Sequence, residues 1–209
     1  MEGKRTLARN RDRQQRSFGS QGKPEKMLKV LDFSADIDHE PDSNGEYTSA
    51  TLDAGPLPES FTICSAFMVE AWTTEFSSAD MFVLLDNDGD QWLRIHLFAA
   101  PSYTEYRVHL GPFVFINQTD TVFFVLQWTR ACLSLNSVAG KVTLVVDGQL
   151  LGEEEYKKEK RPANLSLVLG LDSMRDEFPG KFAELNTFNS PLSVNRLIAQ
   201  TTAGGEELS

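Results

Sequence analysis

From Leu28 onward, apolar and polar residues alternate in short runs, and this period-two pattern predicts β-strands. The clearest run, 141–146, places Val142, Leu144 and Val146 on one face. Runs of about four to eight residues with this pattern are typical of strands that bury one face. Further short apolar runs occupy 61–69, 122–126, 130–135 and 165–169, and 92–97 is a more mixed one.

Turn-forming residues separate these runs. They lie at 86–90, 136–140, 147–148 and 178–180. About ten strands joined by short turns indicate an antiparallel sandwich or barrel. Helix is predicted only at 193–200, directly after Pro191. The expected fold class is therefore all-β, with at most one short helix.

The 209 residues suit one domain with tails. Residues 1–27 contain little aliphatic material, so they cannot offset the entropy of ordering and are predicted to form a basic, flexible tail. The folded domain is expected at 28–202, and 203–209 is expected to be a C-terminal tail.

The net charge of −10 is unevenly distributed. Residues 1–30 carry nine Lys and Arg against three Asp and Glu, whereas residues 31–209 carry eleven against twenty-seven. An acidic domain argues against a general nucleic-acid binder, which needs a basic face to neutralise phosphates. No apolar run approaches the roughly 20 residues of a membrane-spanning helix.

The two cysteines lie in separate predicted strands, Cys64 in the run 61–69 and Cys132 in the run 130–135. Each points away from the more apolar face of its strand, so the two could meet on one side of a sheet. Two unrelated buried thiols are the alternative reading. The pattern by itself leaves both open.

The stretch 128–135 (WTRACLSL), followed by 140–148 (GKVTLVVDG), resembles the pentraxin domain. The family pattern is W-x-H-x-C-x-S-W, then G-x-V-x-x-x-V-D-G. Upstream, 61–64 (FTIC) matches F-T-x-C, and downstream, 180–189 is similar to G-x-I-x-x-F-N-x-W. The resemblance covers about residues 27–201.

This resemblance implies a flattened antiparallel two-sheet jelly-roll sandwich of the concanavalin A-like type, with a Cys64–Cys132 disulfide. Two positions depart from the family pattern, because Arg130 replaces a His and Leu135 replaces a Trp. The chain is thus expected to be a divergent member, or a pentraxin-like domain of a larger receptor. Pentraxins commonly form rings, so a homo-oligomer is compatible with the resemblance.

Typical pentraxins bind two calcium ions, and calcium needs about six to eight oxygen ligands. Here the loop 86–90 is acidic, but the later loop, 170–180, is short and keeps only Asp172 at a matching position. We expect calcium as a cofactor with at most one ion, held by Asp88 or Asp90 together with Asp172. An acidic turn that is simply exposed to water is the alternative.

Two sequons, beginning at Asn117 and Asn164, predict N-glycosylation. They agree with the implied disulfide in favouring a secreted protein or the extracellular part of a membrane protein. The start of the chain shows no apolar stretch typical of a signal peptide. A fragment of a longer exported product and a cytosolic protein with free thiols both fit that observation.

The sequence gives no sign of an enzyme. Its three histidines, His39, His96 and His109, lack metal-ligand spacing, and no nucleophile or phosphate-loop motif occurs. The paired carboxylates of a sandwich-type glycosidase, commonly spaced as E-x-D-x-x-E, do not occur in the sequence. The acidic run Glu153–Glu155 is interpreted as a solvated loop.

Two functions remain. The favoured one is a non-catalytic extracellular binding module that recognises a glycan, a lipid head group or a protein. The alternative is a structural or interaction domain of a larger adhesion or receptor protein, with no small ligand.

Overall fold

The computed structural model describes residues 30–32, 50–53, 57–70, 77–100, 102–120, 126–157, 162, 165–169 and 180–202. Within these ranges the chain forms two antiparallel sheets of six strands each. The predicted tails, 1–27 and 203–209, lie outside the described residues, so the domain limits stay predictions.

The first sheet has the strand order β1-β12-β3-β8-β9-β10. Its strands are β1 (Val30–Asp32), β3 (Phe61–Val69), β8 (Thr129–Asn136), β9 (Lys141–Val146), β10 (Gln149–Glu155) and β12 (Gly180–Phe188). The second sheet has the order β2-β11-β4-β5-β6-β7. Its strands are β2 (Ala50–Asp53), β4 (Ser77–Leu85), β5 (Gln91–Ala100), β6 (Tyr103–Leu110), β7 (Phe113–Thr119) and β11 (Ser166–Leu169).

The core lies between the two sheets. Phe61, Ile63 and Phe67 project from β3 into it and are fully buried. Leu93, Ile95 and Leu97 meet them from β5 in the same hydrophobic cluster. This arrangement follows from the alternation seen in the sequence, and the predicted all-β, two-sheet sandwich is confirmed.

A helix, α1 (Val194–Thr202), packs on the outer face of the first sheet against β8, β9 and β10. Leu197 is fully buried there against Cys64, Cys132 and Val145. The two cysteines are directly opposite in the β3–β8 register and form a disulfide, with a Cα–Cα distance of 4.1 Å. The cysteine side chains point away from the face between the sheets, as the alternation indicated, and are buried under α1.

The turn between β9 and β10 holds the end of α1. Asp147 and Gly148 both have positive φ, 45° and 77°, which is the turn geometry that suits a two-residue hairpin. The amide of Gly148 donates to Thr201 Oγ1 at 2.9 Å. At the start of the helix, the amide of Leu192 donates to Thr62 Oγ1 at 3.0 Å.

The sequence pattern did not predict six of the twelve strands that the structure describes, namely β1, β2, β4, β6, β7 and β10. The acidic run Glu153–Glu155, expected in a loop, lies in β10 at the edge of the first sheet with its side chains exposed. An edge strand tolerates exposed charge on its solvent side, so the loop interpretation was wrong. Most of the predicted run 122–126 lies outside the described residues.

In the described part of the chain, no helix is both long and apolar enough to cross a membrane.

Replacing Gly148 with Ala is expected to lower the free energy of unfolding by about 2–4 kcal/mol. The new Cβ would meet Thr202 Cγ2 at 2.3 Å, in addition to the strain of φ +77°. Gly89→Ala is the matched control, because it has φ +85° but nothing within 4 Å of the added Cβ. Urea denaturation measures both, and equal losses would contradict the contact between the turn and α1.

Replacing both Cys64 and Cys132 with Ala is expected to destabilise the domain by about 4 kcal/mol. The chain-entropy model gives this figure for a bond that joins residues 68 positions apart. Denaturation of the double variant beside the unreduced wild type measures the loss. A loss below about 1 kcal/mol would show that the cross-link does not constrain the unfolded chain.

Candidate functional site

The outer face of the second sheet carries a cluster of charged and aromatic side chains. In β5, Leu93, Ile95 and Leu97 point into the core, so the alternating residues Arg94, His96 and Phe98 point outward. No described helix packs on this sheet, in contrast to the first sheet, where α1 does.

The register of β4, β5 and β6 assembles the cluster. Arg94 lies opposite His109, His96 lies opposite Arg107, and Phe98 lies opposite Glu105. On the other side of β5, Asp80 lies opposite His96. We call this set the polar face. It comprises Asp80, Arg94, His96, Phe98, Tyr103, Glu105, Arg107 and His109.

The most buried part of the polar face is the pair Asp80–His96. The carboxylate Oδ1 of Asp80 lies 2.8 Å from His96 Nδ1, and the Asp80 side chain is fully buried. A buried carboxylate requires a donor, so His96 Nδ1 carries the proton that it donates to Asp80. The other ring nitrogen of His96, Nε2, takes no part in this hydrogen bond. Arg94 Nε approaches the same Asp80 oxygen at 3.8 Å.

Arg94 also meets His109. Its Nη2 lies 3.1 Å from Nε2 and 3.4 Å from Nδ1 of His109, so the guanidinium lies against both ring nitrogens. A guanidinium can only donate, and an imidazole offers an unprotonated nitrogen only in its neutral form, so this contact favours neutral His109. Burial lowers the pKa of His109 below its ordinary value of 6.5, and the charge of Arg94 lowers it further.

Arg107 connects the charged and aromatic parts of the polar face. Its guanidinium pairs with Glu105 and lies over the ring of Phe98, 5.6 Å from the centroid. The ring of Tyr103 is 6.1 Å from that of Phe98. A cation above an aromatic ring is held in place by the ring quadrupole, so Arg107 is oriented along the face.

An apolar strip borders the polar face on the edge strand β7. Val114 lies opposite His109, and Ile116 lies opposite Arg107. Their exposed fractions are 50% and 59%, which is high for large aliphatic side chains. The face therefore offers hydrogen-bond donors, an imidazole, aromatic rings and apolar surface side by side.

This site is not predicted by the sequence pattern, which indicates only a mixed strand at 92–97 and does not connect His96 with His109. The signal was the alternation itself, since every second residue from Arg94 to Phe98 in β5 and from Tyr103 to His109 in β6 is polar or aromatic. Only the pairing of β5 with β6 brings the two sets together.

The predicted calcium ligands are not assembled among the described residues. Asp88 and Asp90 are exposed in the β4–β5 turn, where their amides both donate to Asp86 Oδ1 at 2.9 Å. Asp86 thus closes the turn. Asp172 lies outside the described residues, and the described part of the chain contains no group of three or more potential metal ligands.

Of the two predicted glycosylation sites, Asn164 lies outside the described residues. Asn117 is half-buried at the edge where β7 approaches β10. A Cβ added at Gly152 would lie 2.2 Å from Asn117 Oδ1, so the Asn117 amide packs closely on the Gly152 backbone. A glycan at Asn117 would compete with this packing, and both sites stay predictions.

Arg130, which replaces the pentraxin His, has a structural role in the first sheet. Its Nη2 lies 2.9 Å from Oε2 of Glu184. The pair crosses β3 above Ala66, whose small side chain leaves the space, and so joins β8 to β12. Glu184 sits in a bulge with φ 51°, beside a small pocket of about 40 Å³.

Residues 44–197 match the model of the concanavalin A-like lectin/glucanase superfamily. The match spans well over half of the chain. The chain belongs to this superfamily. No curated protein sequence matches it significantly.

Solved structures with a similar fold include a heptameric SAP-like pentraxin from Limulus polyphemus. It has 13% identity and a TM-score of 0.62, and the alignment covers 74% of this chain and 76% of the pentraxin. At this identity the likeness concerns the fold, and the resemblance to a divergent pentraxin-like sandwich is confirmed.

Two other similar folds come from sialidases. The CBM40 module of a Ruminococcus gnavus sialidase, bound to α2,3-sialyllactose, has 16% identity and a TM-score of 0.50, with 70% and 84% of the chains covered. A Trypanosoma rangeli sialidase has 12% identity and a TM-score of 0.54, but only 23% of its length is matched.

The protein is expected to become less stable as the pH is lowered, because His109 takes up a proton more readily in the unfolded chain. Since the pKa of His109 is lower in the folded state than its ordinary 6.5, the unfolded chain binds more protons below about pH 7. The free energy of unfolding therefore decreases as the pH falls through 6.5.

His109→Gln keeps an acceptor for Arg94 but cannot titrate, so its stability should decrease less over the same range. Urea denaturation at about pH 5 to 7.5 compares the two proteins. His39 and His96 are present in both, so the difference isolates His109. Identical pH profiles would contradict the assignment.

Proposed function

We propose that this domain is a non-catalytic glycan-binding module that acts outside the cell, as a secreted protein or as part of a membrane protein. The observation that carries the proposal is the polar face, where the rings of Phe98 and Tyr103 lie beside the donors of Arg94 and Arg107. Membership of a superfamily that includes lectins, and a fold shared with a CBM40 module, support it.

Sugars suit such a surface for two reasons. Their hydroxyl groups pair with planar, multidentate donors and acceptors such as guanidinium, imidazole and carboxylate. Their C–H faces pack on aromatic rings and other apolar surface. The polar face supplies both on rigid strands, which positions the groups before binding and lowers the entropic cost of association.

The absence of catalysis is part of the proposal. The two carboxylates of the polar face are each committed to a basic partner, Asp80 to His96 and Glu105 to Arg107. A glycosidase needs one carboxyl group that can protonate a leaving group and a second carboxylate opposite it. Neither Asp80 nor Glu105 is held in that arrangement.

Glycan-array screening of the full chain, followed by titration calorimetry, tests the proposal. Arg107→Ala is expected to weaken the binding of a glycan found in this way by about tenfold or more, because it removes a charged donor and the partner of Phe98. Lys141→Ala is the matched control, since Lys141 pairs with Glu153 on the first sheet. Thermal melting confirms that both variants fold.

If no glycan binds to the folded protein, the proposal fails and the alternative is favoured, an interaction domain without a small ligand. Equal affinities of Arg107→Ala and Lys141→Ala would place the glycan elsewhere. Phe98→Leu provides a second variant, because it keeps apolar volume and removes the ring.

The proposal includes a calcium site that holds fewer ions than the two-ion site of typical pentraxins. We expect at most one ion per chain, held by Asp172 with Asp88 or Asp90, and we expect Asp172→Asn to abolish its binding. Calcium titration of the wild type and this variant measures the stoichiometry. Two ions per chain, or binding that Asp172→Asn leaves unchanged, would contradict this expectation.

A further inference from the structure

Resting on the proposed function, we infer that the glycan carries an acidic group, a carboxylate or a sulfate ester, which binds at Arg94 and His109 together with one proton. In this pair the Arg94 guanidinium lies against the His109 ring, with Nη2 within 3.4 Å of both ring nitrogens. An anion and a proton together convert it into two cations that share one anion.

The surroundings of His109 make its protonation unfavourable until an anion arrives. The groups that act on it are Arg94 and His96 on β5, Arg107 on its own strand and Asp80 on β4. Three of these four residues are basic, and the one carboxylate, Asp80, is hydrogen-bonded to His96. On β7 the residue opposite His109 is Val114, which offers no charge.

Protonation of His109 would place two cations in contact, because Arg94 and the imidazolium would both be donors with no acceptor between them. The lowered pKa of His109 agrees with this cost. A carboxylate or sulfate placed between the two groups accepts from both and removes the repulsion. Anion binding and proton uptake therefore favour each other, by the same coupling free energy in either direction.

The neighbouring groups fit the rest of such a ligand. Arg107 lies on the same strand as His109, two positions away, and is partly exposed. Val114 and Ile116 offer apolar surface directly beside the two cations. The site thus suits an acidic sugar whose anionic group lies next to C–H surface, rather than a neutral hexose alone.

Calorimetry with lactose, sialyllactose and sulfated lactose separates the possibilities. We expect both acidic sugars to bind more tightly than lactose, with an affinity that rises as the pH falls from about 7.5 to 5.5 by up to tenfold per unit, the limit for one proton. Titrations in two buffers of different ionisation enthalpy count the proton directly. The sialyl and sulfated sugars distinguish a carboxylate from a sulfate.

His109→Gln is expected to remove most of this pH dependence, whereas Lys141→Ala is expected to keep the wild-type profile. NMR titration of the His109 ring should show a higher pKa with sialyllactose than without it. A pH-independent affinity, or equal affinities for lactose and the acidic sugars, would overturn the inference and leave the glycan-binding function intact. No binding of any saccharide would overturn both.

Discussion

The register of β3 against β8 is the constraint on which the rest of the molecule depends. Because side chains alternate between the faces of a strand, a slip of one residue would exchange the core residues of β3 with its outward residues. The disulfide joins the directly opposed Cys64 and Cys132 and so excludes that slip. The same bond forms the surface on which Leu197 of α1 packs.

The two sheets use their outer faces differently, although both bury their inner faces in one core. On the first sheet, α1 packs over β8, β9 and β10, and the outer face is apolar there around the disulfide. The second sheet buries polar groups on its outer face instead, including Asp80, which is 1% exposed. Such burial is tolerated only where partners are supplied, and the strand register supplies His96 and Arg94.

Several acidic residues of the domain, whose acidity suggested a calcium site in the sequence, have structural roles. Part of this acidity lies in the β4–β5 turn, where Asp86 has a structural role that needs no ion. Part lies in Glu153–Glu155 on the edge strand β10, where one of the three, Glu153, pairs with Lys141. The polar face, with two arginines and two histidines, is the more basic region within this acidic body.

The sequence by itself determined the fold class, the short helix near residue 195 and the position of the cysteines away from the face between the sheets. These features depend on local sequence patterns, which can be read one element at a time. The pairing of the two cysteines came from the pentraxin resemblance. The tertiary structure alone decided the polar face. Asp80, Arg94 and His109 lie on three strands, and each looks like an ordinary outward residue until the register places them side by side. Pairing between strands is non-local, and the pattern within one strand carries no information about which partner lies across from it.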